Sequence, residues 1–242
     1  MAHFYLADGL SDTAPGSLVT IEGAEAKHAV SVSRVRVGEV LSIGNGEGLV
    51  ATGTVEEAAP TRLSIRADEV VRHPPPSARI TLVQALAKGG RDESAVQAST
   101  ELGVDAVVPW AASRSVVKWD ANKRDKGRER WRAIVREATK QSMRPYLPQV
   151  HEPVTTKEIA RLAESALVLV LEPTAQTPLT SVEASGRDIV LVVGPEGGIA
   201  PEELDMLAAA GCVPVRLGSS VLRTSTAGPA ALAVLSALTE RW

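Results

Sequence analysis

Apolar residues along this chain follow two different rhythms. Up to about residue 72 they come in short alternating runs, at His3–Leu6, Leu18–Ile21, Val40–Ile43, Gly48–Glu56 and Thr61–Val71. Turn residues such as Gly44–Asn45–Gly46 separate them. Such runs predict half-buried strands. One short helix is expected near Glu25–Ser33. Many short strands with little helix point to a small β-barrel. His73–Pro74–Pro75–Pro76 then breaks the pattern, because consecutive prolines favour an extended linker. Beyond it the rhythm changes. Continuous aliphatic runs at Ile80–Leu86, Ala106–Trp110, Leu167–Leu171, Asp188–Val193 and Val213–Leu217 predict buried strands. Helical segments fall between or after them, at Asp92–Leu102 (closed by Gly103), Asp125–Ser142, Thr156–Glu164, Leu179–Ala184, the segment begun by Pro201, and Pro229–Leu238. Alternation of this kind predicts a parallel sheet with helices on both faces. The chain thus divides into residues 1–72 and 73–242.

Two strand ends carry unusual loops. Ile189–Val193 runs into Gly194–Pro195–Glu196–Gly197–Gly198, and Val213–Leu217 runs into Gly218–Ser219–Ser220–Val221–Leu222–Arg223–Thr224–Ser225–Thr226–Ala227. Glycines let a backbone approach a ligand closely, and open α/β sheets bind ligands at the carboxyl ends of their strands. The plainer alternative is a glycine-rich turn into a helix. Neither loop has the GxxxxGK[ST] or GxGxxG spacing of a phosphate cradle. Backbone recognition of a neutral or zwitterionic ligand fits better than capture of a triphosphate.

Composition narrows the class. Hydrophobic residues make up 44% of 242, enough for a proper core. The lone Cys212 excludes an intrachain disulfide and reads as a buried structural thiol. His3, His28, His73 and His151 are scattered without metal-binding spacing, so no metal is expected. No apolar run reaches membrane-spanning length, and a soluble, cytoplasmic protein is expected. Net charge is −3, but it is unevenly spread: residues 114–144 hold 11 Lys and Arg against 4 Asp and Glu. A basic segment on an acidic chain points to a polyanion surface, with Arg114, Lys118, Lys123, Arg124, Lys126 and Arg128 as contacts and Trp119 and Trp131 among them. A solvated helix with ion-pair partners is the bland alternative.

The segments LVVGPEGGIAPEEL and VRLGSSVLRTSTAGPAALA resemble the two C-terminal motifs of the SPOUT methyltransferases. Within that superfamily the chain resembles the RsmE family, uridine-N3 methyltransferases of small-subunit ribosomal RNA. Gln97–Val104 is similar to the family's helix ending in TELG. Glu137–Arg144 with Pro148 is similar to its EA–QS–R–P segment, and His28–Gly48 to its N-terminal pattern. The chain departs from the pattern at Ser220, where arginine is common, and at Ser225, where glutamate is common. The resemblance implies a trefoil-knotted α/β domain behind a PUA-like β-barrel that holds RNA. It also implies S-adenosylmethionine as cofactor, a homodimer, and 16S ribosomal RNA in the decoding region as substrate, on the assembled particle. A non-catalytic RNA-binding assembly factor, or a methyltransferase with another RNA target, is the alternative.

For such a cofactor the expected contacts are Leu171, Gly194, Pro195, Glu196, Gly197, Gly198, Leu217, Gly218, Val221, Leu222, Arg223, Thr224, Thr226 and Ala227. Uracil N3 must lose a proton before it is a good nucleophile, so a base or a positive charge near the ring is required. Arg223 is the first candidate, its alternative being an ion pair with Glu196; Arg144 is the second, its alternative a phosphate contact. Glu196 could accept the proton or hold the loop. Thr226 is the more natural cap of the last helix. Arg34 and Arg36 are further candidates for RNA contact.

Overall fold

The computed structural model describes residues 3–11, 13–184 and 186–242. The chain forms two compact units: residues 1–75 with 139–147, and residues 76–138 with 148–242.

The first unit is built on five strands, β1 (His3–Leu6), β2 (Leu18–Glu22), β3 (Val40–Gly44), β4 (Leu49–Ala59) and β5 (Arg62–Arg72), in the order β1-β3-β4-β5-β2. β1 and β3 are parallel; the other pairs are antiparallel. Alternate residues of β2, β3 and β5 point inward, so Val19, Ile21, Leu41, Ile43, Leu63 and Ile65 make one core with Val55 of β4. Register shifts beside Gly53 and Glu57 curl the long β4–β5 ribbon into a half-barrel. Gly53 is required at the first shift, since a Cβ there would collide with the Arg66 carbonyl.

The helix expected near Glu25–Ser33 is split. One α-helical turn, α1 (Gly23–Lys27), continues as a π turn over His28–Val32. Ala26 and Ala29 are wholly buried against the sheet. The chain must then hand Val35 to the core, and it does so through Ser33 N–H to the His28 carbonyl, 3.0 Å, five residues back. Arg34 leaves this turn in the left-handed region, at φ 57°. Residues 145–147 also belong to this unit. Their backbone pairs with the Gly46–Gly48 turn (Gly48 N to Pro145 O, 3.0 Å; Leu147 N to Gly46 O, 2.9 Å). Lys140 forms a buried ion pair with Glu25 at 3.3 Å.

The second unit is a parallel sheet of seven strands. Its elements run β6 (Ile80–Ala85), α2 (Arg91–Glu101), β7 (Ala106–Trp110), α3 (Ala121–Gln141), β8 (Gln149–Val150), α4 (Thr156–Leu162), β9 (Leu167–Leu171), β10 (Thr177–Pro178), β11 (Ile189–Val193), α5 (Pro201–Ala209), β12 (Val213–Arg216) and α6 (Thr224–Leu238). The strand order is β10-β12-β9-β11-β6-β7-β8. All five residues of β11 are buried, between β9 on one side and β6 on the other. The aliphatic runs that predicted these strands are the sheet's core, with Trp110, Ile159, Leu207 and the buried Cys212 packed on one face. Burial pushes the Cys212 thiol up, as suits a structural sulfur.

α6 starts five residues before Pro229, the residue at which proline chemistry had placed its first turn. The first turn is closed instead by Thr226 N and Ala227 N on the Arg223 carbonyl, at 2.8 and 2.9 Å. Pro229 is the sixth residue of α6 and lies inside the helix, where it gives no N–H to the Ser225 carbonyl four residues back. Gly228 just before it lets the helix lie against the sheet: a Cβ there would meet Leu82 at 3.2 Å and Val193 at 3.5 Å. The other end of α6 is clasped. Arg241 donates to the Ala78 and Gly103 carbonyls and to Asp105 Oδ2 (2.5, 3.0 and 2.5 Å), and Asp105 in turn accepts Ile80 N–H at 2.7 Å.

Both side chains of that clasp are mostly buried, at 19% and 12% exposed. Arg241→Met removes the charge and leaves Asp105 and two carbonyls short of a donor. Urea unfolding should show about 2–3 kcal/mol lost. A loss within about 0.5 kcal/mol, the size of an ordinary surface change, would mean that the clasp is ornamental.

Candidate functional site

Parallel strands deliver their carboxyl ends to one edge of the sheet, and four of these ends meet. Leu171–Pro173 follow β9, Gly194–Ile199 follow β11, Arg216–Leu222 close β12, and Arg223, Thr224 and Ala227 open α6. Arg91, at the start of α2 after β6, completes the wall. They enclose a cavity of about 400 Å³. Twelve of the expected cofactor contacts line it; Gly197 and Thr226 do not. A Cβ on Gly197 would face Arg114 at 3.6 Å, away from the cavity lining. Thr226 is exposed in the first turn of α6. Gly218 meets the requirement better: it lines the cavity, has ordinary backbone geometry, and a Cβ on it would meet nothing within 4 Å.

The glycine loop is held both from the cavity wall and from outside it. Glu196 accepts Arg91 Nη1 at 2.9 Å and Lys88 N–H at 3.1 Å, and so it pairs with Arg91 and not with Arg223. Burial opposes its charge, but its own backbone N–H, the Arg91 guanidinium and the Lys88 N–H together hold the carboxyl below the usual range. Arg114 Nη1 bonds the Gly197 carbonyl at 3.2 Å. Glu203, nearly buried in the first turn of α5, is a bracket between segments. It accepts Thr156 Oγ1 at 2.6 Å, Ser113 Oγ at 2.9 Å and Ser113 N–H at 3.1 Å. Burial again opposes the charge, and these donors with Ala200 N–H outweigh it. On the opposite wall Arg216 donates to the carbonyls of Ala175 (2.7 Å) and Gln176, while Glu172 caps Thr174.

Arg91, Glu172 and Arg216 had not been singled out in the sequence. A signal for Arg91 exists: β6 also runs into glycines, Gly89 and Gly90, both at positive φ (66° and 70°). It is a third glycine-bearing strand end. Arg144 lies in the stretch that packs with the first unit. Arg34 and Arg36 are exposed on that unit.

The basic segment is partly neutralised. Arg128, with a side chain 14% exposed, is held by Glu152 and by the His151 carbonyl. Arg130 pairs with Glu93, and Arg132 with Glu129. Trp131 is buried and stacks edge-on with Trp119, whose ring lies over Gly127, so these tryptophans pack the helix. Arg114, Lys118, Lys123, Arg124 and Lys126 are exposed. Among the described residues there is no cluster of His, Cys, Asp or Glu fit for a metal, and no helix long and apolar enough to cross a membrane.

Residues 73–236 match the family model of the RNA methyltransferase domain, and residues 21–68 that of the RNA methyltransferase PUA domain. The ribosomal RNA small subunit methyltransferase E of Mycobacterium bovis is 42% identical over 248 residues, spanning 100% of this chain and 94% of that protein. The chain belongs to this methyltransferase family. The Bacillus subtilis member is 31% identical over 91% of this chain and 90% of its own length. A crystal structure of the Neisseria gonorrhoeae member bound to S-adenosyl methionine superposes with a TM-score of 0.86 at 29% identity, covering 99% and 98% of the two chains. The chain is thus an RNA methyltransferase of the RsmE family. The RNA methyltransferase domain model falls on the seven-stranded unit, and the PUA domain model falls on the half-barrel.

Proposed function

We propose that this chain methylates N3 of a uridine in the decoding region of 16S ribosomal RNA, on the assembled small subunit, with S-adenosylmethionine held in the cavity of the second unit. The convergence of four strand-end loops on one glycine-walled cavity carries this reading. The lining suits the cofactor. It offers two carboxylates, Glu172 and Glu196, and three guanidiniums, Arg91, Arg216 and Arg223, as a ligand with both signs of charge requires. A triphosphate would meet the carboxylates. When bound, the cofactor supplies an electrophilic methyl group that needs no acid catalysis. The chain's work is to hold it through the backbone of Gly194–Gly198 and Gly218–Ala227, with Leu171, Leu217 and Leu222 against the adenine. Arg223 is exposed at the rim and paired to neither Glu196 nor Glu203. In this reading it stabilises the imide anion once N3 has lost its proton. Arg144 is not among the residues that line the cavity. Work on ribosomal RNA would place the protein in the cytoplasm.

In a strain lacking the protein, nucleoside mass spectrometry of small-subunit RNA should show one N3-methyluridine missing. The wild-type gene should restore it and Gly218→Val should not, because valine at this position fills cavity space without straining the backbone. Calorimetry should show affinity for S-adenosylmethionine lost in Gly218→Val and kept in Arg223→Ala, which loses turnover. Unchanged affinity in Gly218→Val would remove the cavity from consideration.

The exposed basic residues should contact phosphates, each contributing about 0.7–0.9 to the log–log salt slope of binding. Replacing Lys123, Arg124 and Lys126 by Ala should flatten that slope and raise KM for the particle, with S-adenosylmethionine affinity untouched. Arg128 is better left alone, being tied to Glu152. Normal methylation by the triple variant at physiological salt would make the segment a solvated helix. RNA selection would then pass to Arg34 and Arg36.

We also infer a homodimer. In α6, Ala231, Leu232, Leu235 and Ser236 face the core, while Ala230, Ala233, Val234, Ala237 and Leu238 form a stripe that is half-buried or exposed. A second copy packed on this stripe should bury at least about 1,000 Å². Sedimentation velocity at micromolar concentration should report a dimer; a monomer would rule out this interface.

A further inference from the structure

Gln84 is the one polar side chain buried completely within the aliphatic strand β6, and nothing in the strand's packing calls for it. Its Nε2 donates to Thr224 Oγ1 at 2.8 Å and to the Ala85 carbonyl at 3.0 Å. Thr224 Oγ1 lies 2.8 Å from the Gly194 carbonyl. The direction of every hydrogen bond in this chain is forced. A carbonyl only accepts, so the single hydroxyl hydrogen of Thr224 goes to Gly194. Thr224 must then accept from Gln84, and the Ala85 carbonyl also needs a donor. The amide can therefore stand only with its nitrogen toward both. That orientation leaves Oε1 buried with no partner. A buried orphan acceptor is costly, and a hydrocarbon side chain of the same shape would avoid it.

What the relay secures is the geometry of the cavity. Gly194 and Thr224 both line it, and Gln84 does not. The peptide between Gly194 and Pro195 has no N–H, because proline lacks one. Its carbonyl is its only polar group, and Thr224 takes it. The glycine loop therefore begins with a peptide whose polarity is turned to α6, and the first turn of α6 is pinned to the loop it faces.

We propose that Gln84 is a positioning residue for cofactor binding. Acting through Thr224, it sets the Gly194 carbonyl and hence the mutual placement of the glycine loop and the α6 N-terminus. This rests on the reading of the cavity as an S-adenosylmethionine site. The test compares Gln84→Met, Thr224→Val, the double variant and Thr224→Ser, with S-adenosylmethionine as the probe in calorimetry and the melting temperature taken alongside. Each of the first two should weaken binding by about tenfold, the loss of one good hydrogen bond. The double variant should be no worse than either single one, since both break the same relay. Thr224→Ser keeps the hydroxyl and should restore most of the affinity lost in Thr224→Val. Gln84→Met removes the orphan acceptor, so its melting temperature should hold or rise while affinity falls; a merely structural glutamine would lose both together. Wild-type affinity in Gln84→Met, additive losses in the double variant, or affinity that only tracks melting temperature would overturn the proposal. So would failure of both Gln84→Met and Thr224→Val to fold, which would make the relay a folding element. A wild-type chain that binds no S-adenosylmethionine would instead overturn the functional reading, and the proposal with it.

Discussion

The architecture of the second unit depends on β11 being buried between two parallel neighbours. Ile189 to Val193 pair with Ile80 to Gln84 on one side and, up to Val192, with Leu167 to Val170 on the other. None of the five has appreciable contact with water. Burying each such side chain is worth about 1.5–3 kcal/mol, so this strand cannot shift register without losing much of what holds the unit together. A parallel sheet leaves no freedom about where its exits lie. The loops after β6, β9, β11 and β12 all emerge on one edge, and β11 emerges in their midst. The cavity follows from that arrangement before any side chain is chosen.

A glycine loop at such a place has an inherent weakness. The freedom that lets its backbone approach a ligand also makes it expensive to order. Here the ordering is done in advance by side chains that stand outside the cavity or at its edge. Glu196 is fastened to the β6 exit, Arg114 holds the Gly197 carbonyl, Thr224 holds that of Gly194, and Glu203 ties the helix after the loop to Ser113 and Thr156. Such a preformed loop spares a ligand the entropy of ordering it. Two of the four restraints are carboxylates satisfied by N–H groups and hydroxyls, with a single arginine between them. Donors of that kind are directional and short, and they fix position more closely than mobile surface ion pairs do.

The sequence was most legible where one periodicity ruled. The aliphatic runs at 106–110, 167–171 and 189–193 gave strands within a residue of their observed bounds, because a strand buried on both faces has no polar positions to confuse the signal. The two loops were legible as a site because glycine density at a strand end has few other uses. Three features were hidden, each for a different reason. The start of α6 lay behind Pro229, whose usual position in the first turn drew the boundary too late. The stretch 139–147 read as the tail of a basic helix, and nothing local announces that its backbone pairs with the Gly46–Gly48 turn about a hundred residues earlier. The tryptophans among the basic residues counted with a polyanion surface, but burial decides that matter, and Trp131 is packed against Trp119.

Arg91 is hidden because the β6 exit carries only two glycines, Gly89 and Gly90, in place of a long glycine loop. The departures at Ser220 and Ser225 leave the cavity intact. Ser220 lines it from an exposed loop, and Ser225 sits in the first turn of α6 outside the lining. The wall includes glycines, such as Gly194, Gly198 and Gly218, and Thr224, whose hydroxyl is committed to Gly194 and Gln84. A site built in this way tolerates change at its exposed side chains. It tolerates little where a missing Cβ leaves room or a buried hydroxyl sets direction. Sequence variation at the rim should therefore alter how substrate is met, and variation at Gly218, Thr224 or Gln84 how well the cavity binds.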